Sequence, residues 1–190
     1  MDLLPVAFRS LPPRVTREQA VDAFRPGTVW RTLGGAPLRS VADVYVPYQL
    51  FRVEIAERRR QQISYVAVDA LRGMLDPYQF DRPLEEADLV TVTSRNRLPA
   101  TLDIEAGAQA VIDAIRRILF QTGVYRVRAP RISVQHEPID LHVPYYLGFY
   151  GRASDRGGNG SVARVRVLDA VRRRFEGAKA RALFEGWLAD

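Results

Sequence analysis

An α+β fold is predicted, made of two related helix-plus-antiparallel-sheet units, each ordered αβββ, with an amphipathic helix at the carboxyl end. Three observations predict it. The stretch Asp43-Val44-Tyr45-Val46-Pro47-Tyr48-Gln49-Leu50 returns as Asp140-Leu141-His142-Val143-Pro144-Tyr145-Tyr146-Leu147. Downstream of each copy comes a second related piece, Val68-Asp69-Ala70-Leu71-Arg72 and Leu168-Asp169-Ala170-Val171-Arg172, in the same order and at nearly the same offset. Finally, helical periodicity precedes each pair of strand-like segments. The expected organisation is a first unit over residues 1–75, a connection over 76–100, and a second unit with the terminal helix over 101–190.

Thr16-Arg17-Glu18-Gln19 has the form of a capping box, so a short helix is expected to Phe24, where Arg25-Pro26-Gly27 stops it. Residues 28–33 read as a short strand, Gly34-Gly35-Ala36-Pro37 as a turn, and 40–55 as a long strand. Arg58-Arg59-Arg60-Gln61-Gln62 reads as a polar hairpin tip, with 63–71 returning as the partner strand. The connection contains Pro77, Pro83 and Pro99, with a strand expected at 89–93.

The second unit opens on Asp103 as N-cap, followed by Ile104, Ala108, Val111, Ile112, Ile115 and Leu119 on one helical face. Strands are expected over 124–134, interrupted at Pro130, over 139–150 and over 162–171, the last two joined by a loop containing Asp155-Arg156-Gly157-Gly158-Asn159-Gly160. In the terminal helix Ala180, Leu183, Phe184, Trp187 and Leu188 recur at i, i+3, i+4, i+7 and i+8, with Lys179, Arg181 and Glu185 away from that face. Arg181 and Glu185 stand at the i, i+4 spacing of an exposed ion pair.

With 190 residues and 47% hydrophobic content the chain is long enough to bury a core. The amino terminus has no basic region followed by an apolar run, and no apolar stretch approaches the ~20 residues needed to span a bilayer. A cytoplasmic protein without membrane attachment is the expectation. The absence of cysteine excludes disulfides, thiolate metal sites and a cysteine nucleophile. A net charge of +6 invites a nucleic-acid reading, but the basic residues are almost all arginine and are spread along the chain among 22 acidic ones.

Alternation places Val46, Tyr48 and Leu50 on one strand face, and Val143, Tyr145 and Leu147 on the corresponding face of the later copy. Tyrosine rings anchored against the helix explain the pattern. A groove for a ligand or partner lined by Tyr48, Tyr145 and Tyr146 is the functional alternative. Asp69 and Asp169 follow hydrophobic strands and precede turns, where a carboxylate accepts bonds from exposed amides. His136, Asp140 and His142 share strand parity and form the one metal-like constellation, weakened by Pro138 between them and by Arg39 and Tyr45 at the aligned positions. The 155–160 loop lacks the lysine and hydroxyl of a phosphate-binding loop. Arg172, Arg173 and Arg174, with Arg164 and Arg166 on the preceding strand, are the strongest candidate phosphate contacts. Phe184, Trp187 and Leu188 are the candidate interface.

Ser64-Tyr65-Val66-Ala67-Val68-Asp69-Ala70-Leu71-Arg72-Gly73 resembles the strand-and-turn signature of PepSY-type domains. The later copy has Arg173 where Gly73 stands. The resemblance implies a small helix-on-antiparallel-sheet module acting by binding or inhibition, with no catalytic residues to carry across. The expected function is therefore a non-catalytic protein-interaction or ligand-binding module without a cofactor, acting as an adaptor subunit or a homodimer. The alternatives are nucleic-acid binding through the arginines and a metal-dependent hydrolase using His136, Asp140 and His142.

Overall fold

The computed structural model describes residues 4–25, 36–57, 60–121, 130–151 and 164–189. In chain order the elements are β1 (Val6–Ser10), α1 (Arg17–Phe24), β2 (Leu38–Glu57), β3 (Arg60–Asp69), β4 (Tyr78–Phe80), a 3-10 turn (Glu86–Asp88), β5 (Val90–Ser94), α2 (Ile104–Gln121), β6 (Arg131–Tyr150), β7 (Arg164–Asp169), β8 (Arg174–Phe175) and α3 (Ala178–Ala189). The α+β class is as expected. The strands hydrogen-bond in the order β4-β3-β2-β6-β1-β5, with β7 on β6 and β8 on β7. The sheet is mixed, not purely antiparallel, because β1, which the sequence did not announce, meets β6 in parallel at Ser10 and His142. The expected strand at 28–33, the Gly34-Gly35 turn, residues 124–129 of the expected strand and the 155–160 loop lie outside the described residues.

Contacts divide the chain into one unit of Met1–Leu11 with Val46–His142 and another of Pro12–Tyr45 with Val143–Asp190. The two 20-residue strands β2 and β6 contribute to both. The proline at 138 does not break β6, which runs continuously from Arg131 to Tyr150. A proline's fixed φ suits extended backbone, and all that is lost is one ladder donor.

In the first unit β2 and β3 pair antiparallel from Tyr48↔Asp69 to Glu57↔Arg60, so Arg60, Gln61 and Gln62 of the expected tip belong to β3, and β4 adds to β3 at Ala67↔Tyr78. One face of this hairpin carries Phe51, Val53, Val66 and Val68, which pack on Val111 and Ile115 of α2. Asp103 caps α2, its Oδ1 accepting the Ala106 amide at 2.7 Å. The amides of Thr101 and Leu102 both donate to the Ala70 carbonyl at 2.8 Å, tying the start of α2 to the end of β3. The buried line of α2 runs through Gly107, not Ile104, which is 50% exposed. A β-carbon at Gly107 would lie 3.1 Å from Phe51 Cζ and 2.0 Å from Gln49 Oε1, so only glycine lets the strand side chains reach the helix. Consequently α2 faces Gln49, Phe51 and Val53. Tyr48 does not anchor on the helix as expected; its ring packs edge-on against Tyr78 at 5.5 Å.

In the second unit β6 and β7 pair antiparallel from Tyr145↔Asp169 to Tyr150↔Arg164, and β8 extends the ladder. Helix α1 starts at the expected capping box, with the Gln19 amide donating to Thr16 Oγ1 at 3.3 Å and the Thr16 amide to Gln19 Oε1 at 3.0 Å. The Arg14 amide donates to the Ala170 carbonyl at 2.8 Å, which fixes the approach to α1 beside the end of β7. Val15, Ala20 and Phe24 then pack on Tyr146, Tyr150 and Leu168. Tyr145, of opposite parity, meets Phe184 of α3 with ring centroids 5.7 Å apart. Ala180, Leu183 and Phe184 are buried as the periodicity requires, whereas Trp187 and Leu188 are 39% and 46% exposed.

Candidate functional site

Two tyrosines four residues apart on β6 hold α1 at both ends. The Tyr146 hydroxyl donates to the Val15 carbonyl at 3.2 Å and the Tyr150 hydroxyl to the Phe24 carbonyl at 2.7 Å. Four residues of strand span about 13 Å, and the nine steps from Val15 to Phe24 at helical rise span about the same, so one strand can clamp both ends. Burial pushes both phenol pKa values above the ordinary tyrosine value; for Tyr150 the neighbouring Arg166 draws it partway back. The Phe24 ring packs closely on β6 because Gly148 has no side chain: a β-carbon there would sit 2.5 Å from Phe24 Cδ1.

Beyond the Tyr150 end of this clamp opens a groove of about 830 Å³. Arg164 and Arg166 come to it from β7, Phe175 from β8, Arg25 from the end of α1, and Arg181 and Glu185 from α3. Arg164 and Arg166 are two residues apart on one strand, hence on one face, and Phe175 joins that face through its pairing with Leu168. The Arg166 guanidinium lies 3.9 Å from the centre of the Phe175 ring, a stacked cation–π contact. Phe175 in turn meets Phe24 edge-on at 5.4 Å. Arg25 is paired with Asp22 at 2.9 Å. Arg164 and Arg181 have no side-chain partner among the described residues, and the expected Arg181–Glu185 ion pair is not formed. The groove volume falls in the range typical of small-molecule sites, and its wall combines guanidinium groups with an aromatic surface.

Of the five arginines singled out in the sequence, Arg164 and Arg166 therefore line the groove. Arg172, Arg173 and Arg174 sit in and after the turn beyond Asp169. Arg172 lies 3.7 Å from the Asp169 carboxylate, and Arg174 donates to Glu176 at 3.3 Å. Tyr48, Tyr145 and Tyr146 are buried, with ring or backbone partners. Phe184 is in the core of its unit; Trp187 and Leu188 remain at the surface. Arg25, Tyr150 and Phe175 were not singled out as site residues, and Arg181 only as half of an exposed ion pair, because nothing in their spacing shows that four elements converge there.

Asp69 and Asp169 act as turn caps. Asp69 accepts the amides of Leu71, Arg72 and Gly73 on Oδ1 and that of Leu75 on Oδ2, at 2.8–3.3 Å. Asp169 accepts those of Val171 and Arg172 at 2.9 and 2.8 Å. The metal-like constellation is distributed along β6. His136 packs on Phe51 with centroids 5.4 Å apart, and Asp140 Oδ2 accepts the Arg9 amide at 3.1 Å. His142 is buried, its Nδ1 lying 3.1 Å from the Arg9 carbonyl and 3.3 Å from Asp140. Among the described residues no group of three or more His, Cys, Asp and Glu side chains could hold a metal ion. No described helix is long and apolar enough to cross a membrane.

Compared with models of protein families, with curated proteins and with solved structures, the chain finds no match in any of the three.

Proposed function

We propose that this chain is a non-catalytic binding module, built from two copies of one helix-plus-sheet unit, and that its ligand is anionic and enters the groove of the second unit. The copies are supported by their registers: Tyr48 faces Asp69 and Tyr145 faces Asp169, with Ala70 donating to the Pro47 carbonyl at 2.8 Å and Ala170 to Pro144 at 3.1 Å. The single observation that carries the binding reading is the concentration of four arginines against two glutamates around one groove, two of the arginines without a side-chain partner among the described residues. Guanidinium groups held next to one another repel unless an anion joins them, and they bind phosphate or carboxylate oxygens bidentately. Asp69 and Asp169, the carboxylates that recur in the two halves of the sequence, are used as turn caps.

Calorimetric titration with inorganic pyrophosphate at low salt tests the reading. Binding should be detected, and Arg164→Ala or Arg181→Ala should each weaken it by about tenfold, one charge-assisted hydrogen bond, while leaving the melting temperature in place. Absence of heat at millimolar pyrophosphate, or binding indifferent to both substitutions, would remove the groove as an anion site.

A further inference from the structure

Resting on that reading, we propose that the anion carries a flat ring: the groove takes a nucleotide unit, with the phosphate between Arg164 and Arg181 and the base stacked on the outer face of the Arg166 guanidinium. Arg166 and Phe175 are both exposed, and the guanidinium already lies 3.9 Å over the phenyl ring. A stacked guanidinium is held in a fixed plane, and its second face is a surface on which a planar heterocycle gains dispersion and cation–π contact. Phe175 is itself backed by Phe24, which Gly148 admits against the strand, so the platform rests on the core of its unit and not on a loop. Arg164 and Arg181 reach the groove from β7 and α3. This division of labour, cationic groups for a phosphate and a stacking surface for a base, is the arrangement by which proteins hold nucleotides without reading their sequence.

The base and the phosphate are separable in the experiment. Calorimetry on the full chain would compare adenosine 5′-monophosphate with ribose 5-phosphate, which has the phosphate and sugar without the base. The nucleotide should bind about tenfold more tightly, as expected for one stacked base. Arg166→Lys keeps the charge and removes the plane; it should abolish that preference while ribose 5-phosphate still binds. Phe175→Leu should reduce the preference as well, and Arg166→Lys keeps the test decisive if Phe175→Leu lowers stability. Equal affinity for the two ligands overturns the base site and leaves the anion groove standing. Failure of both ligands, and of pyrophosphate, overturns the groove altogether. Loss of ribose 5-phosphate binding in Arg166→Lys would also overturn the assignment, since Arg166 would then be a phosphate contact. A ten-nucleotide thymidine strand, titrated beside thymidine monophosphate, separates the two sources of the same chemistry. A strand that binds more tightly with a steep salt dependence identifies single-stranded nucleic acid; equal affinity identifies the free nucleotide.

Discussion

Gly73 and Arg173 stand at the same point of two turns, each four residues after an aspartate, and both have left-handed backbones, at φ of 63° and 60°. Each donates its amide to that aspartate's carbonyl, at 3.2 Å for Gly73 and 2.9 Å for Arg173. The turn needs that conformation, and glycine supplies it without steric cost, whereas an arginine brings its β-carbon against the following carbonyl. Arg173→Gly should therefore raise stability by about 1 kcal/mol. The converse, Gly73→Ala, should lower it, with the added β-carbon only 3.1 Å from Ala110 Cβ. Urea unfolding of the two variants checks both signs.

Gly148 and Phe24 are coupled in the same way. A β-carbon at position 148 would meet three atoms of the Phe24 ring at 2.5–2.8 Å. Gly148→Ala should destabilise by about 1–3 kcal/mol through overpacking. In a Phe24→Leu background the same change should cost less, because the shorter side chain can withdraw. A double-mutant cycle measures that difference, and additive effects would mean that the two residues do not share this contact.

The tyrosine clamp makes two separable forecasts. Tyr146→Phe and Tyr150→Phe each remove one hydrogen bond to an end of α1 and should cost about 1 kcal/mol. Hydrogen exchange should speed up in α1 before the rest of the chain. Since burial raises both phenol pKa values, the unfolded chain gives up these protons first as pH climbs. Stability from this source is present below the ordinary tyrosine value of about 10 and declines as pH rises through the folded values. Alkaline melts of the double phenylalanine variant should show a shallower decline.

His142 contributes on the acid side. Burial lowers its pKa, although the Asp140 charge and the Arg9 carbonyl oppose the shift. The folded state therefore binds its proton later than the unfolded chain does as pH falls. The associated stability is present above about pH 6.5 and is lost as pH drops through the folded value. His142→Gln should flatten the stability profile below pH 6.5 in denaturant titrations at stepped pH; an unchanged profile would mean that another group dominates there.

What the residues determined by themselves is local. Thr16 and Gln19 close the capping box, Asp103 caps α2, and the VPY segments form strands with aspartates closing the turns that follow, because each needs only neighbours within a few positions. The α+β class follows from two periodicities readable over a dozen residues. Tertiary structure alone decided which helix serves which hairpin. The approach to α1 is tied to Ala170 at the end of β7, and that to α2 is tied to Ala70 at the end of β3, so each helix lies on the hairpin from the other half of the sequence. The choice rests on steric fit, with Phe24 needing Gly148 and Phe51 needing Gly107, and such complementarity between distant positions has no periodic signature. The groove is hidden for the same reason. Arg164 and Arg166 stand out in the sequence as a basic pair on one strand, but Arg25, Phe175 and Arg181 join them only after α1, β7, β8 and α3 have packed, and before that each is one more arginine or phenylalanine in a chain with 28 basic residues.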